Sequence, residues 1–215
     1  MLAFLGGTGP EGLGLAARFA HAGHEVVIGS RSAERAQEAV QTIKKLVSDA
    51  RVSGAENREA ARRGDLVFVC VPYEGHKALL ETLCSDINGK LVVDVVAPLA
   101  FEKGRGVYAV PVPEGSAAEQ AQAALPGARV VGAFHNLSAK ELQDVAHPIP
   151  CDVVVCGDHE EAKRRVMALA GQIAGVRAVN GGPLTNSRYV EELTALLLTI
   201  NRIYKARTCI KIVGI

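Results

Sequence analysis

Leu2-Ala3-Phe4-Leu5-Gly6-Gly7-Thr8-Gly9-Pro10-Glu11-Gly12-Leu13 opens the chain, and Glu25-Val26-Val27-Ile28-Gly29-Ser30-Arg31 follows one helix length later. Four apolar residues suit one buried strand. Gly7-x-Gly9-x-x-Gly12 ends that strand and starts an apolar helix through Leu13, Ala16, Ala17 and Phe19. Each glycine has its own task in a dinucleotide site. The first permits a tight turn, the second lets backbone approach a pyrophosphate, and the third lets helix and strand pack closely. The free N–H groups and positive dipole end of the new helix face the same phosphates. Gly7, Thr8, Gly9, Pro10, Glu11 and Gly12 are therefore the expected phosphate cradle.

The residues after Ile28 face the adenosine ribose. A cofactor with a free ribose 2′-hydroxyl calls for a carboxylate there. This chain has Ser30 and Arg31, with Arg35 one helical turn on. A hydroxyl and two guanidinium groups suit a phosphate monoester. The reading is NADP(H).

The 215 residues are 48% hydrophobic with a formal net charge of +1. That length supports one large α/β domain with a small appendage. The balanced charge argues against nucleic acid or a membrane surface as partner, since no basic excess exists to neutralise phosphates in bulk. No apolar stretch approaches the ~20 residues of a membrane span, and a cytoplasmic location is expected. The five cysteines form no CxxC pair and read as free thiols, while the six histidines show no ligand spacing, so no metal site is expected.

Further along, Ser32 caps a helix through Ala36, Val40, Ile43 and Val47. Val52–Ala55 reads as a short strand, Asn57–Arg63 as a short helix and Leu66–Val71 as a strand buried on both faces. That strand ends at Pro72-Tyr73-Glu74, on the edge where such sheets bind ligands, so Val71, Pro72, Tyr73 and Ala97 should border the cofactor. A helix through Leu79, Leu80 and Leu83 leads to a strand at Lys90–Val96. Residues 97–115 read as a surface loop without periodicity. Ser116-x-x-Glu119, Ser138-x-x-Glu141 and Asp158-x-x-Glu161 look like helix starts. Between them lie strands at Arg129–Phe134 and Asp152–Cys156, and Gly175 is the expected stop of the third helix. After a strand at Val176–Asn180, residues 186–205 form a helix whose apolar stripe is wide enough to want burial on more than one side. His135, at a strand end, is the candidate proton donor. His76 reads as a surface residue.

Gly6-Gly7-Thr8-Gly9-x-x-Gly12-x-Gly14, Gly29-Ser30-Arg31, Val71-Pro72-x-Glu74, Ser116-Ala117-Ala118-Glu119, His135, Val155-Cys156-Gly157-Asp158 and Gly182-Pro183-Leu184-x-Asn186-Ser187-Arg188 occur in order. In this ordered set the chain resembles the NADPH-dependent coenzyme F420 reductases. The resemblance implies a Rossmann-type, doubly wound α/β fold, mainly parallel, with a small C-terminal helical cap. The division is a NADP-binding domain at 1–180 and a cap or dimer segment at 181–215. It also implies a homodimer moving a hydride between nicotinamide C4 and C5 of the deazaflavin F420. The 2′-phosphate would be held by Ser30, Arg31 and Arg35. That family commonly has lysine at position 35 and often tryptophan at position 73. The deazaflavin is expected against His135, Asn136, Leu137, Leu184 and Arg188, with Arg188 either cationic in the pocket or paired with Glu191 or Glu192.

The same cradle would serve an NADP-dependent reductase of a flavin, a ferric chelate or an imine. It would also serve a non-catalytic NADP sensor. Only about thirty residues follow Gly182, which favours a shallow cap over a planar acceptor.

Overall fold

A computed structural model describes residues 1–215. The first half runs β1 (Leu2–Leu5), α1 (Pro10–His21), β2 (Val26–Ser30), α2 (Ala33–Leu46), β3 (Val52–Glu56), α3 (Asn57–Arg63), β4 (Leu66–Val69), a 3-10 turn at Tyr73–Gly75, α4 (His76–Ile87) and β5 (Leu91–Asp94). The second half runs β6 (Leu99–Glu102), β7 (Gly106–Ala109), α5 (Ala117–Ala124), β8 (Arg129–Gly132), α6 (Ala139–Gln143), β9 (Cys151–Gly157), α7 (Glu160–Ala170), β10 (Val176–Asn180), a 3-10 turn at Leu184–Asn186 and α8 (Ser187–Tyr204).

Eight strands form one twisted sheet in the order β10-β9-β8-β5-β4-β1-β2-β3. Every pairing is parallel except β8 with β9. This is the Rossmann-type doubly wound architecture. Strand residues alternate between two cores, Leu2 and Phe4 on one face, Ala3 and Leu5 on the other. On the first face Phe4 stacks on Phe68 with ring centroids 4.5 Å apart, and Phe19 and Phe134 close around them. Burying such rings supplies much of the driving force for closing the sheet. No helix is long and apolar enough to cross a membrane, and all five cysteines are free thiols.

Four local expectations are corrected. Residues 99–109 form an antiparallel hairpin, in register Glu102↔Gly106, rather than an unstructured loop. Gly104 and Gly106 make its turn at φ of +92° and +91°, and the Gly-x-Gly between two short apolar runs was its signal. Ser138 makes no capping hydrogen bond. Instead Arg18 is buried beneath α6 and donates to the carbonyls of Glu141, Leu142 and Asp144, while Glu141 pairs with Arg207 at 2.8 Å. Asp158 accepts from the Leu184 N–H, so α7 begins later, at Glu160. That helix also ends at Ala170, and Gly175 serves the next turn at φ +84°.

The C-terminal helix buries Val190, Glu191, Ala195 and Leu197 against the domain. Tyr189, Leu196, Ile203 and Tyr204 remain on its uncovered side. Beyond it the chain returns to the sheet. The carbonyl of Ile210 accepts from Asp152 N–H, and Ile212 N–H donates to the Asp152 carboxylate.

Candidate functional site

A cavity of about 550 Å³ opens at the carboxyl edge of the sheet, over the turns that follow β1, β2 and β4. Thr8, Gly9, Pro10, Glu11, Ser30, Arg31, Arg35, Val71 and Pro72 line it. These nine expected residues thus share one wall. Gly6 takes the left-handed conformation of the turn, at φ +65°, so the residue before the motif makes the bend expected of Gly7. A Cβ on Gly9 would meet nothing nearer than the Gly6 carbonyl at 3.9 Å, so its face stands open to the cavity. A Cβ on Gly12 would lie 2.8 Å from Gly7 Cα and 2.9 Å from Cys70 Cβ, which is the close helix–strand packing the third glycine permits. Gly9 caps α1 with no side-chain bond, leaving the first N–H groups for a ligand. An absent side chain over free N–H donors, with two guanidinium groups at the far end, fits a dinucleotide bearing a 2′-phosphate.

Four features of this wall were not anticipated. Asn57 opens α3 beside the cavity, and its Oδ1 accepts from Gly6 N–H at 3.1 Å, bracing the glycine turn. Its place directly after β3 on the ligand edge was the available signal. Cys70, which falls inside the strand expected at Leu66–Val71, lines the floor, and Leu79 and Gly75 close one side. Burial raises the Glu11 carboxyl to about 8, so near neutrality it does not oppose an anionic ligand. Tyr73 and Ala97 lie outside the lining of this cavity. Tyr73 instead touches the amide of Gln120 at 3.5 Å.

Behind the cavity the end of β5 carries a buried ionic cluster. His76 is fully buried, against the expectation of a surface position. Its Nε2 lies 2.6 Å from Asp94 Oδ2 and its Nδ1 3.0 Å from Gln120 Oε1. The Asp94 carboxylate also accepts from Val96 N–H, fixing the turn after β5. Glu191 of α8 accepts from the N–H groups of Ala117 and Ala118 at the start of α5. Burial and the charge of Asp94 raise it to about 8 despite those donors.

His135 follows Phe134, which holds φ +72°, a conformation that bulky residues rarely adopt. Both His135 ring nitrogens are buried without a partner, and burial lowers its pKa to about 4. The neighbouring expectations fare differently. Asn136 donates to the Asp152 carbonyl, and Leu137 and Leu184 fill the two cores, so packing rather than a cavity wall occupies these three side chains. Arg188 pairs with Glu119 at 3.5 Å, not with Glu191 or Glu192. It borders a second, smaller hollow of about 210 Å³ between the β6–β7 hairpin and α8, together with Pro98, Val110, Val112 and Glu191.

Comparison with known proteins bears on which dinucleotide enzymes share this arrangement. The family model described as NADP oxidoreductase, coenzyme F420-dependent, matches residues 1–98. The F420-dependent NADP reductase of Methanocaldococcus jannaschii is 41% identical over 211 residues, 96% of this chain and 94% of that one. The chain belongs to the F420-dependent NADP reductase family. The enzyme of the same description from Methanothermobacter marburgensis is 41% identical over 205 residues, covering 93% and 92% of the two chains. A crystal structure of an F420-dependent NADP-reductase candidate from Arthrobacter sp. FB24 superposes with a TM-score of 0.84 at 26% identity, covering 99% of each chain. The family's likeness thus extends past the cradle to the C-terminal helix.

Proposed function

We infer that this protein is a reductase that transfers a hydride between NADP(H) and the deazaflavin coenzyme F420. One observation carries the NADP half. The strand that should present a carboxylate to the ribose ends instead in Ser30 and Arg31, with Arg35 on the same cavity wall. The F420 half rests on family membership over nearly the whole chain.

In this reading Gly7, Thr8, Gly9, Pro10, Glu11 and Gly12 cradle the pyrophosphate, and Val71 and Pro72 border the nicotinamide end. When bound, the two coenzymes supply the hydride chemistry, and the protein need only stack and shield them. Arg188, at the mouth of the second hollow, offers a cation to an anionic substrate. His135, neutral above about pH 4, offers a ring N–H as hydrogen-bond donor rather than an imidazolium proton. Residues 1–180 form the NADP-binding domain and 181–215 the cap. The uncovered apolar side of α8 joins a second copy of the chain.

The test is steady-state NADPH oxidation by the pure protein with F420, riboflavin, FMN or a ferric chelate as acceptor. F420 should be reduced in preference to the others. Reduction of a flavin or chelate but not of F420 would overturn the acceptor assignment and leave the NADP site standing. A dimer in light scattering, lost on Leu196→Glu, would support the second-copy reading.

A further inference from the structure

The returning C-terminal segment brings two thiols together far from the cofactor cavity. Cys151 opens β9 and is fully buried. Cys209 lies on the segment after α8, only partly buried, where it lines a groove with Pro150, Lys205 and Arg207. The backbone link between Asp152 N–H and the Ile210 carbonyl, 2.9 Å, holds the two cysteine-bearing segments together. Cys209 Sγ donates to the carbonyl of Pro150, at 3.5 Å, which places it against the residue that precedes Cys151, and the neighbouring thiol helps to push Cys151 up.

We propose that Cys151 and Cys209 form a reversible disulfide site, closed by exchange with a low-molecular-weight disulfide, that bolts the C-terminal segment and its helix to the start of β9. The loop they close, from Cys151 to Cys209, holds α7, β10 and all of α8.

The chemistry balances without a protein oxidant. The Cys209 thiolate attacks one sulfur of the external disulfide, forming a mixed disulfide and releasing one thiolate. The Cys151 sulfur then gives up its proton and attacks Cys209 Sγ, expelling the second thiolate. The protein loses two thiols and the external disulfide becomes two, with the two protein protons carried off on the leaving groups. The order of attack follows from access. Cys209 borders the open groove, whereas burial and its thiol neighbour push Cys151 up to about 12. Cys151 is therefore the resolving partner, slow until the mixed disulfide sits against it. The other three cysteines offer no such pair. Cys70 lies in the cofactor cavity, Cys84 on α4 and Cys156 inside β9.

The experiment incubates the folded full-length protein with oxidised glutathione. Intact mass, thiol titration and peptide mapping then report the product. The expected product has lost two of the five thiols, weighs less by two hydrogens, and yields a Cys151–Cys209 peptide that dithiothreitol separates. Tm should rise on oxidation by roughly 5–10 °C, because the bridge restricts a long loop in the unfolded chain. Cys84→Ser should form the same bridge. Cys209→Ser should fold with the reduced protein's Tm, keep its remaining thiols and show no oxidative rise. Three results would overturn the proposal. These are a glutathione adduct on Cys209 that never closes, a disulfide mapping to another pair, and five thiols surviving treatment. Because Cys209→Ser replaces the less buried partner, a folding failure of Cys151→Ser would leave the test intact.

Discussion

Gln120 fixes which ring nitrogen of His76 must carry a proton. The Gln120 amide nitrogen donates to the Glu114 carboxylate at 3.0 Å, so its oxygen must face the His76 Nδ1, which therefore carries a proton. The other ring nitrogen donates to Asp94 at 2.6 Å. With Asp94 a carboxylate, both nitrogens donate, and the cation is favoured inside the protein. Burial alone would depress its pKa, but Asp94 and Gln120 outweigh that, and the result stands above the usual value.

Removing one partner of that pair strands the other charge. Asp94→Asn should cost about 3–5 kcal/mol in urea unfolding. It should also make His76 titrate as a neutral imidazole by NMR. A loss below about 1 kcal/mol, with an unchanged histidine resonance, would refute the buried pair.

Glu191 should give stability a pH dependence of definite sign. Its folded pKa is raised from 4.5 to about 8, so the folded state holds the proton more tightly. The contribution is full below pH 4.5 and is lost as pH rises through about 8. His76, also raised, adds a loss in the same direction above its unfolded value. His135 works oppositely: its stabilisation is present above pH 6.5 and lost as pH falls toward 4. Glu191→Gln should flatten the alkaline limb of Tm against pH while leaving the acid limb in place.

Arg31→Ala should weaken NADPH binding by roughly ten- to a hundredfold, the worth of a charge-assisted phosphate contact. NADH binding should change little. Equal losses for both, measured by fluorescence titration, would remove the 2′-phosphate from this position.

The two glycines of the cradle should separate binding from folding. Gly9→Val projects into open cavity, so it should keep its Tm and lose NADPH binding. Gly12→Val drives into Gly7 and Cys70, and should destabilise by about 1–3 kcal/mol or more before binding is even considered. The reverse pattern would mean that the turn is misread.

Asn57→Ala removes the brace from Gly6 N–H. A cost of about 1–2 kcal/mol in stability is expected, with a weaker KM for NADPH and nearly unchanged kcat. Asn57→Asp should recover the stability, since a carboxylate oxygen can accept the same hydrogen bond.

How much of this was legible beforehand follows from range. The glycine turn, Ser30, Arg31 and Arg35 depend on short-range spacing within one βαβ unit, and the chain displays them openly. Hidden features were those whose partners lie far along the sequence. His76 looked like a surface residue because Asp94 and Gln120, 18 and 44 positions away, are what bury and charge it. Ser138 looked like a cap because nothing local announces that Arg18 holds the α6 carbonyls from 123 residues or more upstream. Asn136 and Leu137 sat at a strand end on the correct edge, but the direction of a side chain there depends on the left-handed turn at Phe134. No residue pattern signals that conformation.

The cofactor cavity is assembled from residues 6–11, 30–35, 57 and 70–79, delivered by parallel strands that pair only across intervening helices. None of these segments makes a partial site by itself. Parallel pairing is non-local and forms late in folding. A dinucleotide thus has nothing to grip on a chain still seeking its topology. Its effect on lifetime should appear almost wholly as slower unfolding, with the refolding rate untouched. In the cell, cofactor supply would then govern how long each finished molecule lasts, and not how quickly a new one is made.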